Sequence, residues 1–377
     1  MSQEGLKLTS YFGERSRVRG RLVADELLDI HARHAVRSSI LMRGVQGFGA
    51  KHRLRSDRLL TLSEDLPLVC VAVDTRERIE RLLEEVGAIE HEGLLTLERA
   101  QLYGAGEAGE PSRPAVGGHD ALTTDWHDAP GLGSLSDTAS SAPNPVRTLK
   151  LTVYLGRHER VNGTPAFAAV CQALHEDGVA GATVLLGVDG TRHGERERAR
   201  FFAGNANVPL MVVSVGERRQ IDAAIRHLDQ LLKEPLFTVE GVRVCKRDGQ
   251  FLERPHDEST AAEYGMDVRQ KLTVIASEAA VLGKSSVYLE LVRRLRGANA
   301  AGATSLRGIW GFHGDHAPHG DRLLSIRRHV PVLTDTIDTP RRIAELFPIV
   351  DELTRESGLV TSELLPASEA IHTVPRL

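Results

Sequence analysis

The chain has 377 residues with 47 Lys and Arg against 51 Asp and Glu, a formal net charge of −4, which excludes a protein built mainly to coat nucleic acid. Apolar residues make up 41 % and charged residues 26 %, ordinary globular usage, and no apolar run is long enough to span a bilayer. The opening MSQEGLKLTS has no apolar signal core, and the three cysteines form no CxxC pair, so buried thiols in a reducing cytoplasm are expected.

Three copies of one pattern run along the chain, the signature of a repeat architecture. The first, within residues 1–103, starts LKLTSYFG at Leu6, a β-rich alternation with Lys7 and Thr9 on the face opposite Leu6 and Leu8. A helical stripe follows at Ala24, Leu27, Leu28 and His31, then RGVQGFG at Arg43–Gly49 and a second apolar strand from Leu66. A second stripe, Ile79, Leu82, Leu83 and Val86, precedes a closing strand from Leu94.

Residues 104–148 hold seven Gly, five Pro and five Ser in 45 positions and read as a flexible linker, with Trp126 as its single large aromatic.

The second copy, residues 149–246, opens LKLTVYLG at Leu149. Its helical stripes are Phe167, Val170, Cys171, Leu174 and Ile221, Ala224, Ile225, Leu228. LGVDGTR at Leu186–Arg192 stands where the first copy has RGVQGFG, and the closing strand starts at Leu236. Residues 247–270 are a shorter, charged linker with no expected structure.

The third copy, residues 271–367, opens KLTVIAS at Lys271 and carries RGIWGFH at Arg307–His313. Its stripes are Tyr288, Leu291, Val292, Leu295 and Ile343, Leu346, Phe347, Val350, the latter opened by Thr339 as N-cap with Pro340 at the first helical position. Its last strand starts at Leu359, and residues 368–377 form a tail.

Each copy therefore reads βαββαβ, the ferredoxin-like split unit, giving an α+β chain of three tandem repeats. About 98 residues per unit is small for one core, and the open sheet faces and edges are expected to cover one another.

Three runs carry a family resemblance: LKLTSYFGE…RG, RGVQGFGAKHRLRSDRLLTLSEDLPLV and RGIWGFHGDHAPHGDRLLSIRRHVPV. They resemble the PII-like family catalogued as domain of unknown function 190, related in fold to PII signalling proteins and CutA. The resemblance implies a trimer of ferredoxin-like units, here covalently joined as an intramolecular pseudo-trimer. It further implies a small anionic effector, typically an adenine nucleotide, between units, and a loop after the second strand that acts on a partner such as a transporter or enzyme. No nucleic-acid partner, membrane insertion or required cofactor is implied.

The residues point to the same loop. Gly44 and Gly47, Gly187 and Gly190, and Gly308 and Gly311 form GxxG turns that could bring backbone N–H groups to an anion or simply allow a tight turn. Arg43 and Arg307 precede two of them, and basic residues follow. Arg58, Arg200 and Arg322 sit at equal depth, as ligand contacts or as structural ion pairs. Gly20-Arg21 and Gly283-Lys284, at helix entrances, form the other candidate edge. Repeat 2, with Leu186 for the arginine and Asp189 in its loop, is expected to be weaker or purely architectural.

His313, His316 and His319 offer a divalent-metal alternative, on a Gly/Pro loop that fixes no tetrahedral geometry. A third alternative is an assembly module with decayed sites. No Walker A, GxSxG or HExxH motif is present, so no enzyme is expected.

Overall fold

The computed structural model describes residues 2–49, 52–56, 65–89, 93–104, 148–198, 207–256, 266–283, 285–313, 318–320 and 330–369. It is a mixed α/β structure in which three repeats contribute six helices and antiparallel sheets.

In repeat 1 the strands are Gln3–Gly13, Ser38–Arg43, Pro67–Thr75 and Gly93–Gly104, with helices Val23–Arg33 and Arg76–Gly87. The first strand pairs with both the third and the fourth, and the second pairs with the third, so the order is 4-1-3-2, all antiparallel. Repeat 2 repeats this order with Thr148–Gly156, Gly181–Leu186, Pro209–Glu217 and Leu236–Gly241. Repeat 3 does so with Asp267–Ser277, Ala303–Arg307, Pro331–Asp338 and Leu359–Glu369.

The helical stripes read from spacing lie on the buried faces. Ile79, Leu82, Leu83 and Val86 are all buried, as are Ile343, Leu346, Phe347 and Val350. Phe167 and Ile225 are only partly covered. Thr339 caps the last helix by accepting from the Arg342 amide at 3.3 Å, with Pro340 in the first turn. Cys70, Cys171 and Cys245 are buried free thiols, and burial pushes the Cys70 thiol up to about 12. His31, the polar end of its stripe, is 2 % exposed, and burial lowers it to about 3, so it packs as a neutral ring.

The long loop after each second strand is not plain coil at its root. It forms a further strand, Gln46–Phe48, Asp189–Arg192 or Trp310–His313, that leaves its own repeat. The repeat 1 strand pairs with the second strand of repeat 3, that of repeat 2 with repeat 1, and that of repeat 3 with repeat 2. Phe48 thereby enters the core of repeat 3, and Phe312 that of repeat 2. Burying each ring is worth roughly 1.5–3 kcal/mol.

The fourth strands link the repeats in a second cycle. The end of Gly93–Gly104 pairs with the start of Leu236–Gly241. Arg243–Arg247 pairs with the start of Leu359–Glu369, whose own end pairs back with the start of Gly93–Gly104. Residues 247–256, expected to lack structure, instead continue as a hairpin through Gln250–Phe251, and Phe251 sets its ring edge-on to Phe347 at 6.2 Å. The two aromatics give that connector an anchor that its charged composition concealed. Residues 105–147 and Trp126 lie outside the described residues.

The polar face of the alternating first strands is buried between the repeats. Lys7, Lys150 and Lys271 stand directly across the ladder from Glu98, Glu240 and Glu363. Each ammonium also reaches the next repeat: Lys7 to Glu240 at 2.7 Å, Lys150 to Glu363 at 2.5 Å and Lys271 to Glu98 at 2.6 Å. All six side chains are under 10 % exposed. Burial alone would raise the Glu98 carboxyl, but Lys271, Lys7 and Lys150 together hold it well below the usual carboxylate range.

Candidate functional site

A cleft of about 470 Å³ lies between repeats 2 and 3. One wall is the start of the second strand and end of the third strand of repeat 2, from Ala180 to Thr183 and Val213 to Val215. The other is the end of the first strand of repeat 3, Ile275 to Ser277, with Phe312 and His313 from the crossing strand. Arg247 closes one side, positioned by its pairing with Leu359.

Two polar atoms of the residues around this cleft lie buried beneath its walls without partners. The Ser214 hydroxyl is buried without a hydrogen bond, although the residue is only 2 % exposed. The Arg247 Nε is likewise buried and unbonded, and its guanidinium has no ion-pair partner among the described residues. An unsatisfied buried polar group costs about 1–3 kcal/mol, and strand alternation sets Ser214 on the face of Leu210 and Val212, opposite Val213. His313 stands at the rim, 47 % exposed, hydrogen-bonded to Asp248 in the turn beyond Arg247.

At the cleft, aligning LKLTVYLG with KLTVIAS puts Ile275 where both other copies have tyrosine, Tyr11 and Tyr154, while aligning the second strands puts Ala180 where repeat 1 has Arg37 and repeat 3 has Ala301. Arg37 is 8 % exposed beside Asp74, while the Tyr11 hydroxyl donates to Asp335 at 3.2 Å.

Among the residues singled out in the sequence, His313 alone lines this cleft. The GxxG glycines are committed to the crossing strands. The Gly44, Gly187 and Gly308 amides donate to Pro67, Pro209 and Pro331 at 2.8, 2.9 and 2.8 Å. A Cβ at Gly47 would lie 2.6 Å from the Ala303 carbonyl, and one at Gly311 would lie 2.3 Å from that of Ala182. These glycines let two backbones approach, so their N–H groups do not form an anion cradle.

Arg43 is held by Glu14 in a two-pronged pair at 2.9 Å, and Arg307 by Glu278 at 2.9 Å. In repeat 2 both partners change together, to Leu186 and Arg157. The arginines thus tie the second strand to the end of the first. Gly20 is the tip of a two-residue hairpin, with φ +83 and nothing within 4 Å of an added Cβ. Arg21 pairs with Glu26 at 2.8 Å and Asp29 at 2.5 Å on its own helix. Gly283 also stands in open space. Gly20, Arg21 and Gly283 do not line the cleft.

Lys284, Arg58, Arg200, Arg322 and His316 lie outside the described residues, and of His319 only the backbone is described, paired with Gly311. The metal trio therefore has one described side chain, His313, already bonded to Asp248. The carboxylates of Glu98, Glu240 and Glu363 lie within 4.8 Å of one another, a metal-like spacing. Three ammoniums are interleaved with them, which neutralises the charge a divalent ion would need.

Arg247 escaped the sequence reading because it belongs to no motif. The signal was a position-by-position comparison of the copies, where Ile275 replaces tyrosine. Among the described residues no helix is long and apolar enough to cross a membrane.

A UPF0166 protein of Aquifex aeolicus (strain VF5) is 30 % identical to this chain over 101 residues, which is 27 % of this chain and 81 % of that protein. Among solved structures, the crystal structure of aspartate kinase from Synechocystis aligns over 97 % of this chain at 9 % identity with a TM-score of 0.23, too low to carry any argument. This chain spans 52 % of that protein's length. The profile of the DUF190 family, described as Uncharacterized ACR, matches residues 5–102, 148–244 and 269–366. The chain belongs to the DUF190 family and carries its domain in three tandem copies.

Proposed function

We propose that the chain is a PII-like regulatory protein, an intramolecular pseudo-trimer of ferredoxin-like units that binds a small anionic effector between repeats. The observation that carries this reading is the cleft between repeats 2 and 3, with Arg247, which has no ion-pair partner among the described residues, in its lining. The 4-1-3-2 strand order of each repeat and the cyclic exchange of crossing strands support the assembly. We read the role as binding: the cleft offers a guanidinium and hydroxyls, and its His313 is hydrogen-bonded to Asp248.

Phe312 and His313 begin the repeat 3 loop and also wall the cleft. An effector there touches the root of that loop. It can shift the loop's states only by binding one of them more tightly. A partner protein, a transporter or another enzyme, would read the loop. Adenine nucleotides are the first effectors to test.

Calorimetry with ATP, ADP, AMP and cyclic AMP tests the ligand half. A nucleotide that binds is expected to do so at one site per chain, weakened in Arg247→Ala. Absence of heat with every nucleotide would remove nucleotides from the reading.

A further inference from the structure

The three seams between repeats differ in charge at one decisive position. The ladder places Arg247 opposite Leu359, Gly104 opposite Leu236 and Glu369 opposite Leu94. Leu94, Leu236 and Leu359 each begin the Leu-x-Thr run of their repeat, so Arg247, Gly104 and Glu369 are equivalent. Only one of the three positions carries a cation.

The same seam has the open volume. Ile275 and Val213 face each other across the cleft, whereas the corresponding positions at the seam of repeats 3 and 1 hold Tyr11 and Asp335, joined by a hydrogen bond. At the seam of repeats 1 and 2 the position of Ile275 is Tyr154, whose hydroxyl is 3.2 Å from that of Thr238. Space and charge therefore coincide at one seam.

Among the described residues the walls of that cleft carry a single arginine and no carboxylate. The remaining surface is mostly apolar, with Val213, Ile275, Phe312 and Leu359 contributing the largest side chains. One guanidinium compensates one negative charge. A polyphosphate would bring further charges onto apolar walls, where each loses hydration without a partner. A volume of about 470 Å³ falls within the range of small-molecule sites.

We propose that the cleft binds one amphipathic monoanion per chain, a carboxylate or similar single-charge head on Arg247 with an apolar body along Val213, Ile275 and Phe312. This rests on the reading of the cleft as the effector site and narrows the effector's class. The head would accept from the Arg247 guanidinium, which has no ion-pair partner among the described residues. Apolar burial supplies the rest of the affinity, and the other two seams bind nothing of this kind.

The test uses the full chain and two fluorescent probes of nearly the same shape: 8-anilinonaphthalene-1-sulfonate, a monoanion, and neutral N-phenyl-1-naphthylamine. The sulfonate should bind with one site per chain, more tightly than the neutral amine. Arg247→Gln should weaken it about tenfold or more and leave the amine unchanged. Ile275→Tyr, which restores the side chain of the other seams, should fold normally and abolish both. Equal affinity for the two probes, or a sulfonate affinity unchanged in Arg247→Gln, would overturn the proposal. Arg247-dependent nucleotide binding without sulfonate binding would overturn the monoanion class while sparing the cleft as effector site. If neither probe nor any nucleotide binds, both fall.

Discussion

Lys7 in the first repeat donates to both carboxylate oxygens of Glu240 in the second, at 2.7 and 2.9 Å, across 233 residues of sequence. The same ammonium lies 2.8 Å from Glu98 of its own repeat. Three such lysines and three glutamates form a closed, charge-balanced cycle that holds the repeats in register.

Removing one cation from this cycle leaves a buried carboxylate uncompensated. Lys150→Met is expected to destabilise the chain by about 3–5 kcal/mol in urea unfolding. Pairing it with Glu363→Leu should cost less than the two single changes added, because the charges leave together. A loss below about 1 kcal/mol for Lys150→Met alone would show that the cycle contributes little.

The cycle also sets the acid response. Burial opposes ionisation of Glu98 and Glu363, but the lysines outweigh it and lower both carboxyls. A group with a lowered folded pKa stabilises above its unfolded value, about 4.3 for glutamate, and loses that stability as pH falls through the folded value. The melting temperature should therefore hold from pH 7 to 5 and fall steeply below about 4. The slope below pH 4 should shrink in Glu98→Gln, and an unchanged slope would reject this assignment.

The seam glycines should behave as packing residues. A Cβ at Gly311 would lie 2.3 Å from the Ala182 carbonyl. Gly311→Ala is expected to lower stability by about 2 kcal/mol or more through overpacking, with faster amide exchange along Trp310–His313. Gly20→Ala, at the open hairpin tip, should cost about 1 kcal/mol from its positive φ alone. Equal effects at the two sites would contradict the seam assignment.

One seam is polar where the others are apolar. Phe48 sits across from Ala303 and Phe312 from Ala182, but Thr191 sits across from Ser39, with the two buried hydroxyls 2.8 Å apart. Ala182→Ser should bury an unpaired hydroxyl under Phe312, at a cost of about 1–3 kcal/mol. Thr191→Phe should be damaging alone and partly rescued by Ser39→Ala, measured by thermal melts of the single and double variants. Failure of that rescue would show that the seams do not follow one shared packing rule.

The sequence by itself determined the three copies, the helical stripes, the Thr339 cap and the burial of the cysteines. These follow from local periodicity and residue type, which act over a few turns of chain. It also showed that the Lys7 and Thr9 face needed cover. Which faces meet was decided only by tertiary structure, because Lys7 and Glu240, or Gly311 and Ala182, come together through pairings more than 100 residues apart. Gly47 and Gly311, which looked like part of an anion site, are spent on such pairings, and Arg43 and Arg307 on ion pairs within their own repeats. The cleft lies where repeat 3 lacks the tyrosine of the other two copies, and such an absence has no motif to mark it.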